Sequence, residues 1–137
     1  MKHYEAGATI AARPEQVWSI LADGSSYTAW DSGIKQLDGT LGPGEKVAVQ
    51  SNMGRGFPVR VTEFTPPERM TWTGGIPLGL FKGVRRFSLT PEGEATRFHV
   101  REEFSGPLLP LIWRTMPDLQ PSFDQFVAGL KARAERS

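Results

Sequence analysis

At 137 residues the chain is long enough for one domain with a real core and too short for two. Its 16 basic residues nearly balance its 15 acidic ones, for a net charge of +1, and no basic run or patch points to nucleic acid. Without cysteine it has neither disulfides nor thiolate chemistry, and its two histidines, His3 and His99, have no metal-ligand spacing.

Residues 3–12 are partly β-branched and predict a first strand. The next segment, ARPEQVWSILAD, reads as a helix. Pro14 fits the first helical position, Glu15 favours the positive end of the dipole, and Val17, Trp18 and Leu21 share a face. Asp23-Gly24-Ser25 ends it, and Ser25 is placed to cap a second short helix carrying Tyr27 and Trp30.

Beyond Trp30 the apolar period becomes two. Strands are predicted at Ile34–Leu37, Lys46–Ser51, Phe57–Phe64, Arg69–Thr73, Phe81–Thr90 and Ala95–Ser105. Turns or loops separate them at DGTLGPGE, Asn52–Gly56, Thr65–Glu68, the GGIPLG segment and Pro91–Glu94.

The chain closes on an amphipathic stretch from Gly106 to Arg136. Leu109, Ile112, Trp113, Met116, Leu119, Phe123, Phe126, Val127 and Leu130 recur every three or four residues, on one narrow helical face. Pro117 and Pro121 interrupt it. Two arrangements fit: a short helix at 108–116 followed by a main helix capped by Asp118 and running to about 135, or one kinked helix. Burying Leu119, Phe123, Phe126, Val127 and Leu130 contributes roughly 7–15 kcal/mol, at about 1.5–3 kcal/mol each. The expectation is a single α+β domain over 1–137: a curved antiparallel sheet of about seven strands, in the order β-α-α-β6-α, wrapped around the long C-terminal helix.

The opening MKHYEAGATI lacks the apolar centre of a signal peptide, and no apolar run is long enough to span a membrane. A cytoplasmic protein with no integral membrane association is therefore expected.

Several motifs follow one another along the chain: Pro14-Glu15-Gln16-Val17-Trp18 with Leu21-Ala22-Asp23, then Tyr27 and Trp30, and Gly42 and Gly44. Val61-Thr62-Glu63 follows, then Pro66 to Trp72, Phe87 to Pro91, and Thr96, Glu103 and Gly106 before the apolar helix. In this order they resemble the START-like (SRPBCC) helix-grip superfamily, the polyketide cyclase/dehydrase and lipid-transport group. The resemblance covers almost the whole chain and implies the helix-grip fold. It leaves function open, because lipid carriers, hormone receptors, cyclases, dehydratases and co-chaperones share that fold.

One strand carries the clearest chemical signal. Phe98, Val100 and Phe104 alternate toward the helix, which puts Glu102 on the same inward face. A carboxylate among phenylalanines needs a partner, a water or a raised pKa. Arg85 shares a face with Phe87 and Leu89 on the neighbouring strand, so an Arg85–Glu102 pair is the candidate for catalysis. The competing reading is a bulge that lets Glu102 reach solvent, or an ion pair that merely closes one end of the sheet. His99 falls on the convex face with Arg97, Arg101 and Glu103, as a solvated histidine.

Trp30, Met70, Trp72, Phe81, Trp113 and Met116 are the candidate ligand-binding residues, with solid core as the alternative for each. The mouth of such a pocket is expected near the GGIPLG loop and the Pro117 break. No catalytic triad, phosphate loop or glycosidase-like carboxylate pair is present, and neither metal nor other cofactor is expected.

Three functions compete. One is a carrier or sensor for a hydrophobic small molecule: a lipid, a polyketide or an aromatic compound. Another is a cyclase or dehydratase-type enzyme using Glu102 and Arg85. The third is a co-chaperone-like interaction module, which calls for a filled interior and a large exposed apolar patch.

Overall fold

The computed structural model describes residues 2–51, 57–115 and 118–136. The turn expected at Asn52–Gly56, together with Met116 and Pro117, lies outside them. Among the described residues seven strands form one antiparallel sheet: β1 (Lys2–Ile10), β2 (Ile34–Asp38), β3 (Lys46–Ser51), β4 (Phe57–Thr65), β5 (Arg69–Ile76), β6 (Phe81–Glu92) and β7 (Ala95–Ser105). Their order is β1-β7-β6-β5-β4-β3-β2, a meander whose last strand is joined by the first. Helix α1 (Pro14–Leu21) and a 3-10 turn (Gly24–Thr28) link β1 to β2, and α2 (Leu109–Thr115) and α3 (Gln120–Arg136) follow the sheet.

The expected α+β helix-grip architecture is what the chain adopts. Some boundaries differ. The second short helix is a 3-10 turn that begins at Gly24, and Ser25 does not cap it but donates to Asp23 Oδ1 at 2.6 Å. Strand β5 runs on through Gly74 and Gly75 to Ile76, because those two glycines still pair with Gly83 and Lys82. The C-terminal stretch forms two helices, and Asp118 Oδ1 accepts the Gln120 amide hydrogen at 3.0 Å. Pro121 then sits in the first turn of α3, where its missing donor costs nothing.

Strand alternation sets the core. In β7, Thr96, Phe98, Val100, Glu102 and Phe104 are buried, while the residues between them face the convex side. There His99 bonds Glu5 Oε2 at 3.0 Å, beside Arg101 and Glu103, which also form ion pairs. Phe123, Phe126, Val127 and Leu130 of α3 are buried against the concave face.

Polar ties fix where α3 lies. Gln120 Nε2 donates to the Glu5 carbonyl at 2.9 Å, and Lys131 Nζ donates to the Thr9 carbonyl at 2.8 Å. Glu135 Oε2 accepts the Ala11 amide at 2.8 Å and Lys131 Nζ at 2.6 Å. The Lys131 ammonium first, and the Ala11 amide second, hold the Glu135 carboxyl below its ordinary value of 4.5. A carboxylate depressed in the folded state stabilises above the unfolded value, and that contribution fades as pH falls through the folded value. Glu135→Gln is therefore expected to cost most at neutral pH, with the gap to wild type closing in urea melts as pH falls below the ordinary carboxylate value.

Candidate functional site

The site is a gap in the concave face. Along the sheet, Trp72 pairs with Arg85, Arg85 with Glu102, and Glu102 with Tyr4. One inward rung further on, Gly74 pairs with Gly83 and Gly83 with Phe104. Two adjacent positions on that rung present no side chain. Beneath α3 the missing volume becomes a cavity of about 250 Å³.

Its wall is mostly apolar. Phe81, Phe87 and Phe104 come from the sheet, and Leu119, Phe123 and Phe126 come from α3 and the residue before it. Phe81 and Phe104 stack with centroids 5.9 Å apart. Among the described residues, polar side chains enter at four places: Arg85, Glu102, Ser32 and Ser122. The Ser32 hydroxyl is occupied, donating to the Tyr27 carbonyl at 2.7 Å and accepting the Ile34 amide at 3.0 Å.

Arg85 and Glu102 meet in this wall. Arg85 Nε and Nη2 both donate to Glu102 Oε1, at 3.1 and 2.7 Å. Only 17% of the arginine side chain and 11% of the glutamate are exposed. The guanidinium carbon lies 4.6 Å from the Phe123 ring centre and 5.9 Å from that of Trp72. Arg85 thus bridges sheet and helix, with a cation–π contact on each side. This pairing satisfies a charge that desolvation would otherwise penalise heavily.

The other predicted residues lie in different places. Phe81 lines the cavity. Trp30, Met70 and Trp72 are buried in the packed interior one layer behind it. Trp30 lies edge-on to Phe126, Met70 is in register with Phe87, and the Trp72 ring is 4.8 Å from Phe87. Trp113 is half-buried outside the wall, stacked on Tyr4 at 5.4 Å and tilted against Phe104. Met116 lies outside the described residues.

The glycines of the wall were not singled out from sequence, although a signal was there. Gly83 stands two residues from Arg85 and Gly74 two from Trp72, so alternation puts both on the inward face. Gly75 and Phe81 also line the cavity, and between them Ile76, Leu78 and Leu80 are exposed. The GGIPLG segment therefore flanks the cavity.

Tyr27, another buried polar group, is committed. Its hydroxyl donates to the Leu21 carbonyl, and burial pushes the phenol well above its usual range. Among the described residues no cluster of three or more His, Asp or Glu side chains could hold a metal ion, and no helix is long and apolar enough to cross a membrane.

The sequence model of the family described as polyketide cyclase / dehydrase and lipid transport matches residues 1–135. No curated protein matches the chain. Among solved structures, a Mesorhizobium loti protein superposes with a TM-score of 0.77 at 16% identity, over 99% of this chain and 98% of that one. The Zhui aromatase/cyclase of a Streptomyces species gives a TM-score of 0.75 at 16% identity, over 98% and 94%. DynU16, from the dynemicin biosynthetic locus, gives 0.70 at 18% identity, over 99% of this chain and 46% of that one.

Proposed function

Because the chain belongs to the polyketide cyclase / dehydrase and lipid transport family, we propose that it binds a small hydrophobic molecule between sheet and C-terminal helix, as a carrier or sensor. The observation that carries this reading is the apolar cavity of about 250 Å³ with the Arg85–Glu102 ion pair in its wall. An apolar cavity of about 150 Å³ stays dry and takes benzene. The present one suits a molecule of about two fused rings or a short polyketide, rather than a two-chain lipid. Deep pockets that are mostly apolar, with a few polar groups, are the usual form of small-molecule sites.

A second reading has one observation in its favour. Arg85 and Glu102 touch whatever enters the cavity, and the same fold carries the Zhui aromatase/cyclase. In a cyclase or dehydratase, Glu102 would take a proton from carbon beside a carbonyl and Arg85 would steady the resulting enolate. The interaction-module reading loses its support, since it calls for a filled interior.

Native mass spectrometry of freshly purified protein, followed by tryptophan-fluorescence titration with a panel of bicyclic apolar compounds, tests the proposal. A co-purifying small molecule, or saturable binding in the micromolar range, is the expected result. No bound mass and no saturable response from any compound would overturn it.

A further inference from the structure

The ion pair in the cavity wall leaves one of its oxygens open. Both bonds from Arg85 end on Glu102 Oε1, and Oε2 takes no hydrogen bond from any described residue. Oε2 lies beside Gly83, 2.9 Å from where a Cβ on that residue would sit, and both residues line the cavity.

Three glycines of this wall have different reasons to be glycine. A Cβ on Gly74 would meet the Pro58 carbonyl oxygen at 2.8 Å. On Gly75, with φ of +141°, it would meet the Phe81 carbonyl oxygen at 2.2 Å. The backbone excludes a side chain at both. At Gly83 no backbone atom stands in the way: the nearest neighbours are Glu102 Oε2 and, at 3.4 Å, the Phe104 ring. Glycine inside a strand weakens it through lost entropy and lost packing. At Gly83 that weakness has no backbone cause, and what it leaves is an uncovered carboxylate oxygen.

We propose that the cavity selects uncharged apolar molecules carrying a hydroxyl or similar donor, and that Gly83 makes the selection possible by leaving Glu102 Oε2 open to them. The inference rests on the reading of the cavity as a ligand site. A carboxylate oxygen only accepts, so the ligand has to bring the hydrogen. Hydrogen bonds to charged groups in apolar surroundings are among the stronger ones. A ligand carboxylate brings no hydrogen at pH 7 and would be repelled by that oxygen, while the Arg85 charge that could offset this is already paired through Oε1.

Three probes on one ring frame separate these effects: naphthalene, 1-naphthol and 1-naphthoate, measured by equilibrium dialysis at pH 7 against wild type and Gly83→Ala. Wild type is expected to bind 1-naphthol about tenfold or more tightly than naphthalene, with 1-naphthoate weakest. In Gly83→Ala the added methyl displaces the carboxylate. The naphthol advantage, taken as the ratio of 1-naphthol to naphthalene affinity within the same variant, should shrink to about threefold or less. The wild-type comparison needs no variant, so it stands even if Gly83→Ala fails to fold. Equal binding of 1-naphthol and naphthalene, or tightest binding of 1-naphthoate, would overturn the proposal and leave the cavity a ligand site. A naphthol preference unchanged in Gly83→Ala would remove the role of Gly83. No saturable binding of any probe would overturn both.

Discussion

Replacing Phe126 with alanine is expected to cost about 3–5 kcal/mol, the range for deleting a large aromatic side chain from a core. Phe126 is 5% exposed, and its ring centre lies 5.3 Å from Trp30, 5.6 Å from Tyr27, 5.8 Å from Phe87 and 6.3 Å from Phe98. It is where α3, the 3-10 turn and two strands meet. Its other side faces the cavity, so truncation enlarges an existing gap that its neighbours already fail to fill. The measurement is a guanidinium melt: the midpoint should fall with little change in slope. A midpoint within error of wild type would show that α3 does not hold the sheet through this ring.

Arg85→Ala comes next, at about 3 kcal/mol, the lower end for breaking a buried ion pair. The lower end applies because both partners keep some exposure on the cavity side. Most of the cost is the stranded Glu102 carboxylate, and the rest is the guanidinium packing lost against Phe123 and Trp72. Changing both partners together, Arg85→Met with Glu102→Leu, should be far milder, since no charge is left unpaired. The four-member cycle of wild type, two singles and the double isolates the coupling in equilibrium melts. It also separates the two functional readings. A carrier with the double change keeps its affinity for an unsubstituted apolar ligand, whereas an enzyme binds and loses turnover. An Arg85→Ala protein that melts like wild type would mean that the pair contributes nothing to stability.

Much of this arrangement was legible in the chain. Phe98, Val100, Glu102 and Phe104 share a face because strand geometry alternates side chains, whatever lies around them. The Arg85–Glu102 match follows from the hairpin turn at Gly93, which fixes the register between β6 and β7. The helix face of Phe123, Phe126, Val127 and Leu130 follows from the 3.6-residue period.

The cavity wall was harder to read, and the reason is geometric. Trp30, Met70 and Trp72 stand out in a sequence because they are large, and large side chains fill an interior. A cavity opens where volume is missing, here at Gly83 beside Gly74, and a missing side chain is noticed only once its neighbours are known. Periodicity and turn chemistry are local, so the sequence by itself determined the elements, their faces and the charged pair across one hairpin. How near α3 comes to the sheet depends on contacts more than a hundred residues apart, such as Lys131 with Thr9 and Gln120 with Glu5. Only the tertiary structure decided which inward residues touch α3 and which stand before an empty space, because that depends on the distance between surfaces and not on the order of residues along either one.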